Sequence, residues 1–127
     1  MTENVLKFSA SVVSCYMEGE ASVIGIGDDK NFPENYIIIT RFDDGGVDES
    51  IGVSTNRSDG EVSGSVMAVS LNKYFFDVFI RPDREADIGA SHILVDLSSA
   101  EFDFHIFSDY LCNIFLGSSA KLVIADS

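Results

Sequence analysis

Positive charge is scarce in this sequence. Lys and Arg together number 8 in 127 residues, against 21 Asp and Glu, and the formal net charge is −13. This exceeds the magnitude of about 2–8 that keeps a small domain in solution, so part of the charge is expected to serve recognition. Proteins that bind nucleic acid or anionic lipid need Lys and Arg to meet phosphates. The composition therefore disfavours both of these partners and favours a positively charged protein.

Long apolar runs are also lacking. Apolar stretches such as those around residues 36–39 and 104–107 are far shorter than the roughly 20 residues that a membrane-spanning helix needs. Residues 1–4 do not form a basic segment followed by an apolar one, so we expect no secretory signal. The sequence is accordingly expected to belong to a cytoplasmic protein that does not enter a membrane.

Cysteine and histidine are scarce, with two residues of each type. Cys15 and Cys112 lie among apolar neighbours in a chain without an export signal, so we expect buried, reduced thiols rather than a disulfide. Neither these cysteines nor His92 and His105 show the C-x-x-C or H-E-x-x-H spacing of a zinc site. The sequence therefore predicts no metal site and no cofactor.

Recognisable catalytic motifs are absent as well. Gly25-Ile26-Gly27 lacks the third glycine of a dinucleotide fingerprint and is followed by acidic residues, which repel a pyrophosphate. Carboxylates are so abundant that no pair is specified as an acid–base dyad. We therefore expect no enzymatic activity. The alternative is an enzyme that uses scattered carboxylates in a concave pocket with perturbed pKa values.

The composition is nevertheless that of a folded protein. Apolar residues make up 46% of the chain and ten residues are Phe, which is enough to offset the ordering entropy of folding. A chain of this length typically forms one domain with one core. We therefore expect residues 1–127 to form a single domain.

Alternation of apolar and polar residues predicts that most of the chain forms short strands. Segment 36–42 has the strongest signal, because β-branched and aromatic side chains fill it, and we expect a central strand buried on both faces. Segments 66–71 and 74–80 are separated by two residues, which predicts a hairpin. The further predicted strands are residues 5–17, 21–26, 51–55, 92–97 and 121–125.

The spacing of apolar residues changes from that of a strand to that of a helix in the C-terminal part of the chain. Ser98 and Glu101 have the spacing of a capping box, which predicts that a helix begins there. Apolar residues then recur at helical spacing, and Gly117 is placed to end the helix. These apolar residues are Phe104, Phe107, Leu111, Ile114 and Phe115. A strand over residues 102–106 is the alternative interpretation.

The order of these elements predicts an α+β fold, with a mostly antiparallel sheet and one C-terminal helix packed on one face. Period two places Phe75 and Phe79 on the face of their strand opposite Phe76, Val78 and Ile80. Since one of these faces lies in the core, the other needs a cover of its own. We expect the helix to cover Phe75 and Phe79.

An acidic loop follows the predicted central strand. It contains four carboxylates, Asp43, Asp44, Asp48 and Glu49. They lack the alternation and the terminal Glu of a calcium-binding loop, so a metal site is disfavoured. A merely solvated turn is one interpretation. The other, adopted here as the predicted partner-binding site, is a rigidly held acidic surface that contacts a basic protein.

Several features follow one another in an order shared with a known family. They are the run Tyr36-Ile37-Ile38-Ile39-Thr40-Arg41, the acidic loop, the weak strand from Gly52, the small residues around Gly64, the hairpin at 66–80, the strand 93–97 and the helix that ends at Gly117. Together they resemble the bacterial immunity protein 10 family over residues 5–117. Members are small acidic antitoxins encoded beside polymorphic toxins. The resemblance implies that this chain binds and neutralises a cognate toxin domain, and it carries over no catalytic or toxin-facing residues.

Secretion chaperones of the type III kind are the alternative class. They are also small, acidic α+β proteins, and they hold a segment of an effector. Such chaperones typically begin with a helix, whereas Leu6, Phe8, Ala10 and Val12 alternate with polar residues like a strand. We therefore expect a non-enzymatic immunity protein that neutralises its toxin through an acidic surface.

Overall fold

A computed structural model of the protein describes residues 4–42 and 46–125. These residues form ten strands, two helices and one 3-10 turn, at Pro82–Arg84. The strands are β1 (Val5–Ser9), β2 (Val12–Glu18), β3 (Ala21–Gly27), β4 (Tyr36–Arg41), β5 (Ile51–Thr55), β6 (Val62–Ser63), β7 (Val66–Leu71), β8 (Phe75–Ile80), β9 (His92–Asp96) and β10 (Lys121–Ile124). The helices are α1 (Glu85–Ile88) and α2 (Phe104–Ile114).

The strands form two five-stranded sheets rather than one. The first sheet has the order β1-β9-β8-β7-β10, and the second has the order β2-β3-β4-β5-β6. The predicted α+β class with mostly antiparallel pairing and a helix packed on a sheet is confirmed. The parallel pairs are β1 with β9 and β10 with β7, both at the edges of the first sheet. The inward faces of both sheets and α2 contribute side chains to one hydrophobic core.

The predicted single strand over residues 5–17 is wrong, because the chain crosses from one sheet to the other in its middle. The amide of Ala10 donates to the carbonyl oxygen of Asp96 in the first sheet, and the amide of Ser11 donates to that of Gly27 in the second. The inward positions accordingly change from even-numbered residues in β1 to odd-numbered residues in β2. The apolar alternation contains this change of phase, but it does not reveal that two sheets are involved.

Strand β4 is central in the second sheet, as predicted, but it is buried on one face only. Ile37 and Ile39 point into the core and are fully buried, whereas Tyr36 and Ile38 alternate with them and remain partly exposed. The predicted hairpin is confirmed, with β7 and β8 paired in antiparallel register. The outer face of the second sheet is therefore open around Tyr36 and Ile38.

Helix α2 begins later than the predicted capping box. Its N-cap is Asp103, whose carboxylate accepts a hydrogen bond from the amide of Ile106 at 3.1 Å. Ser98 serves a different purpose, because its hydroxyl and amide both donate to the carboxylate of Asp96 at the end of β9. A short polar side chain caps a helix or closes a turn by the same hydrogen bonds, so spacing alone did not distinguish these two uses.

The helix covers the face of β8 opposite to the predicted one. Phe107 packs against Phe76, with ring centroids 5.1 Å apart. Phe75 remains 40% exposed, and Phe79 stacks on His92 at a centroid distance of 4.4 Å. The prediction was wrong because it assumed a single sheet. With two sheets, the Phe76 face is the one that needs α2 and the second sheet to cover it.

Arg41, the last residue of β4, joins the second sheet to α2. Its Nη1 donates to the carbonyl oxygens of Asn113, Ile114 and Leu116, each at 2.9 Å. These carbonyl groups lie at the C-terminal end of the helix, where a cation is favourable because the helix dipole is negative there. Gly117 then turns the chain away with a φ of 78°.

Both cysteines are free thiols, as predicted, but only one of them is sheltered. Cys15 is half-buried on the inward side of β2, and this burial raises the pKa of its thiol to about 11. Cys112 lies on the outer side of α2 and is exposed, so its predicted burial is wrong. The apolar neighbours of Cys112 along the chain lie on other sides of the helix and do not cover it.

The longest helix in the described part of the chain is α2, with 11 residues. No helix there is long and apolar enough to cross a membrane.

The packing of α2 predicts which of its residues support the fold. Replacement of Phe107 by Ala should lower the free energy of unfolding by roughly 3–5 kcal/mol, and replacement of Leu111 by roughly 2–5 kcal/mol, because both side chains are fully buried. Asp109 is exposed on the same helix, and Asp109→Ala should change the free energy of unfolding by less than about 0.5 kcal/mol. Urea unfolding followed by circular dichroism measures these values. Equal effects at all three positions would contradict the described packing.

Candidate functional site

The outer face of the second sheet contains a shallow apolar trough of about 370 Å³. Residues of three neighbouring strands line it, and Tyr16 from β2 and Tyr36 and Ile38 from β4 contribute large side chains. Tyr16 is 46% exposed. Large apolar side chains on an open sheet face are typical of contact surfaces when they lie close together.

Two glycines of β3 form the floor of the trough. Gly27 has a packing reason to lack a side chain, because a Cβ there would lie 3.1 Å from the Cβ of Pro33. Gly25 has no such packing or backbone reason to lack a side chain. Its φ is not left-handed, and a Cβ there would have no described neighbour within 4 Å. Glycine inside a strand costs about 0.5–1 kcal/mol relative to Ala. Such a residue is typical of places where a ligand or another chain approaches closely.

A braced loop between β3 and β4 forms one wall of the trough. The carboxylate of Asp28 accepts hydrogen bonds from the amide of Glu34 and the side chain of Asn35, both at 2.9 Å. The carboxylate of Asp29 accepts from the amides of Asn31 and Phe32, at 2.8 and 3.2 Å. These hydrogen bonds lower the pKa of both carboxyl groups, so both remain ionised at neutral pH. The loop is therefore held in one conformation.

This loop presents Phe32 to solvent. The Phe32 side chain is 86% exposed, although the backbone that carries it is fixed by Asp29. An exposed aromatic side chain on a rigid loop loses little conformational entropy when a partner buries it. Phe32 is therefore well suited to anchor a protein partner beside the trough.

The charged groups around this surface are mainly acidic. Asp29 and Lys30 line the trough itself. Glu18 is exposed at the end of β2, and the Glu61 carboxylate accepts a hydrogen bond from the hydroxyl of Thr40 on the same outer face, at 2.9 Å. An apolar trough with two tyrosines and an acidic rim suits the aliphatic stem and cationic head of Lys or Arg. We define the tyrosine trough as Tyr16, Gly25, Tyr36, Ile38 and the Phe32 loop (residues 28–35).

The predicted acidic loop has a different character in the structure. Asp43 and Asp44 lie outside the described residues, and Glu49 is exposed. Asp48 is a structural group: its carboxylate accepts hydrogen bonds from the hydroxyl of Ser118 at 2.9 Å and from the amide and hydroxyl of Ser119 at 3.0 and 2.7 Å. It also pairs with Arg81 at 3.4 Å. Asp48 thus fastens the loop to the segment between α2 and β10.

These contacts explain the acidity of Asp48. The hydrogen bonds from Ser119 and Ser118, aided by the charge of Arg81, lower its pKa to about 2. Negative charge is common to Asp48 and the other three predicted residues, and charge alone does not indicate that Asp48 forms internal hydrogen bonds.

A second polar pair lies on the outer face of the first sheet. Nε2 of His92 is 2.8 Å from the carboxylate of Asp77, and Phe79 stacks on the imidazole ring. Both partners are largely covered by their neighbours. No cluster of three or more residues that could hold a metal ion occurs within residues 4–42 and 46–125.

The tyrosine trough was missed from the sequence, although a signal for it exists. Gly25 and Gly27 alternate in β3, and Tyr36 and Ile38 alternate in β4, so both pairs follow the period of a single sheet face. Because residues 36–42 are almost uniformly apolar, the sequence predicts burial on both faces there and conceals this open face. Register between β3 and β4 places Gly25 opposite Ile38, and only this pairing reveals the trough.

Comparison of the chain with protein-family models finds no matching family, and comparison with curated protein sequences finds no significant match.

The two floor glycines provide a test of the trough as a functional feature. Gly25→Ala should raise the free energy of unfolding by about 0.5 kcal/mol, since the added methyl group meets open space and the unfolded chain loses freedom. Gly27→Ala is the control and should be less stable than Gly25→Ala, because Pro33 must give way to the added Cβ. Urea unfolding measures both. A loss of stability at Gly25 would mean that the fold itself requires this glycine.

Acid unfolding tests the structural role of Asp48. Its folded-state pKa of about 2 lies below the ordinary value. The stabilisation is therefore complete above about pH 4 and is lost as the pH falls from about 4 towards 2. Asp48→Asn should lower the free energy of unfolding at pH 7 by roughly 1–2 kcal/mol, and this deficit should shrink below pH 4. Glu49→Gln is the control and should have little effect. A deficit that is constant from pH 7 to 2 would contradict the assignment.

Proposed function

We propose that this protein is a non-enzymatic immunity protein that binds a basic bacterial toxin domain in the cytoplasm and neutralises it. The observation that carries the proposal is the tyrosine trough: an open, preorganised apolar surface with a highly exposed Phe32, on a chain with a net charge of −13. Stable protein complexes combine such anchors with complementary charge around them. The resemblance of the sequence to the immunity protein 10 family supports the toxin as the partner.

Charge and anchors have separate roles in this proposal. The acidic surface attracts a basic partner over about one Debye length, near 10 Å at 0.1 M salt, and so raises the association rate. The aromatic side chains become buried on binding and slow dissociation; they are those of Phe32, Tyr16 and Tyr36. Carboxylates on the rim can take the place of phosphates in the basic groove of a nuclease, if the toxin is one.

Within residues 4–42 and 46–125, the carboxyl groups with shifted pKa values are held by internal hydrogen bonds. They are Asp28, Asp29, Asp48 and Asp96, and each pKa is lowered by hydrogen bonds from neighbouring amides or side chains. A carboxyl group that acts as a general acid near neutral pH requires a raised pKa instead. These four groups therefore stabilise turns.

Phe32 and Gly25 are the residues whose replacement tests the proposal most directly. The toxin domain encoded beside this gene should be co-expressed with each variant, and its affinity should be measured by titration calorimetry. Phe32→Ala should weaken binding by at least about 10-fold, because an exposed anchor is lost. Gly25→Val should weaken binding to a similar extent by filling the trough, since the Cβ that it adds meets open space.

Tyr74 provides the matched control, because it is an exposed aromatic residue beside β8 in the other sheet. Tyr74→Ala should leave toxin binding and protection unchanged. Protection by the Phe32 and Gly25 variants equal to that of the wild type would contradict the trough as the contact surface. Replacement of Asp43, Asp44 and Glu49 by Asn and Gln, with Asp48 kept, then tests the acidic loop through the association rate at low salt.

A further inference from the structure

Strand β2 forms an open edge of the second sheet. Each sheet has two edge strands, which are β1 and β10 in the first sheet and β2 and β6 in the second. Strand β2 has seven residues, whereas β1 has five, β10 has four and β6 has two. A long edge strand presents a row of unpaired backbone groups that can template another strand.

The residues of β2 do not protect this edge. Proteins discourage pairing at an edge by placing Lys or Pro there, or by keeping the strand short. Strand β1 contains Lys7 and β10 contains Lys121. Strand β2, with the sequence Val-Val-Ser-Cys-Tyr-Met-Glu, contains no Lys, Arg or Pro. Among the four edge strands, β2 is therefore the longest and the least protected.

The strand register identifies the backbone groups at the open edge. The amide of Asp28 donates to the carbonyl oxygen of Asn35, one step beyond the last β3–β4 pair. Hydrogen-bonded pairs alternate along an antiparallel ladder, so the even-numbered residues of β3 bond to β4 and the odd-numbered ones, including Gly25, bond to β2. Ser14 and Tyr16, which lie opposite Gly25 and Val23, therefore direct their backbone groups to β3.

The same alternation turns the amide and carbonyl groups of Val13, Cys15 and Met17 outward. Among the described residues, no loop or side-chain group hydrogen-bonds to them. Met17 is 55% exposed, and Tyr16 beside it belongs to the tyrosine trough. The open edge and the trough therefore form one continuous surface.

We propose that an extended basic segment of the partner adds to the second sheet as a strand along β2, hydrogen-bonded to the backbone of Val13, Cys15 and Met17. In this mode backbone hydrogen bonds provide affinity, and alternate side chains of the added strand select the partner. The alternate side chains on the outer face lie beside Tyr16 and the trough, where an acidic rim meets cationic heads. The inference rests on the proposed function, because it specifies how the toxin domain is bound.

Charge favours a basic partner over a second copy of this chain. Two copies carry −13 each and repel one another as they approach. A basic segment is attracted by the same charge, and it meets the carboxylate of Glu18 at the end of β2. The net charge therefore allows the edge to remain open without pairing to itself.

A synthetic peptide provides the probe for this edge. The peptide is acetyl-(Arg-Thr)₄-amide, which is basic and extended, and the control is the same peptide with Pro in place of the second and third Thr residues. Amide hydrogen exchange of the full chain should be followed by NMR at 0.15 M salt. The unmodified peptide should slow exchange at Val13, Cys15 and Met17 by at least 10-fold, and the Pro peptide should not.

Met17 allows the backbone donor to be removed separately. Met17→Pro deletes the outward amide, whereas Met17→Ala keeps it, and both variants lose the contact between the Met17 sulfur and the hydroxyl of Ser22. Because no described residue accepts a hydrogen bond from this amide, both variants should fold, as circular dichroism can verify. Met17→Pro should weaken peptide binding by at least 10-fold, and Met17→Ala by less than 3-fold.

Three results would overturn the inference. They are equal binding by the Pro and Ala variants, unchanged exchange at the three edge amides, and dimerisation of the chain alone through β2 in analytical ultracentrifugation. None of these results affects the proposed function, which fails if the wild-type chain does not bind and neutralise the toxin domain, whereas undiminished protection by the Phe32 and Gly25 variants contradicts the trough as the contact surface. The two proposals can therefore fail independently.

Discussion

The contact between Phe107 and Phe76 joins α2 to the core that both sheets share. Phe107 is carried by α2, Phe76 lies at the centre of the first sheet, and Arg41 attaches the C-terminal end of the same helix to the second sheet. Because α2 packs on the inward side of the sheets, it leaves the outer face of the second sheet uncovered. The tyrosine trough is a consequence of this arrangement.

Local patterns predicted much of the fold, and the contacts between distant segments explain where the prediction was wrong. The bounds of β5 and β7 and the central position of β4 follow from residue type and alternation. The passage between sheets at Ala10 and Ser11 depends on hydrogen bonds to Asp96 and Gly27, which are far away along the chain. The sequence predicted Ser98 as the cap of α2, whereas Asp103 caps it in the structure. Both residues fit a cap locally, and only the surrounding structure decides between them.

Composition predicted one part of the candidate site, and the position of residues in the fold determines the other part. Net charge predicted an acidic surface and drew attention to the loop that contains Asp48. The structure places part of this acidity in internal hydrogen bonds: Asp48 holds the segment after α2, while Asp28 and Asp29 hold the Phe32 loop. The apolar half of the surface arises from strand pairing across β2, β3 and β4. Register of this kind cannot be obtained from charge, so the trough was not predicted.

The unprotected edge of β2 also affects how readily copies of this protein associate with one another. Electrostatic repulsion between copies substitutes for the Lys and Pro residues that this strand lacks, and such repulsion reaches about 10 Å at 0.1 M salt but only about 3 Å at 1 M. Concentrated salt therefore removes the barrier that keeps neighbouring edges apart, as does acidification that protonates the carboxylates. Precipitation by salt is accordingly a poor purification step for this protein.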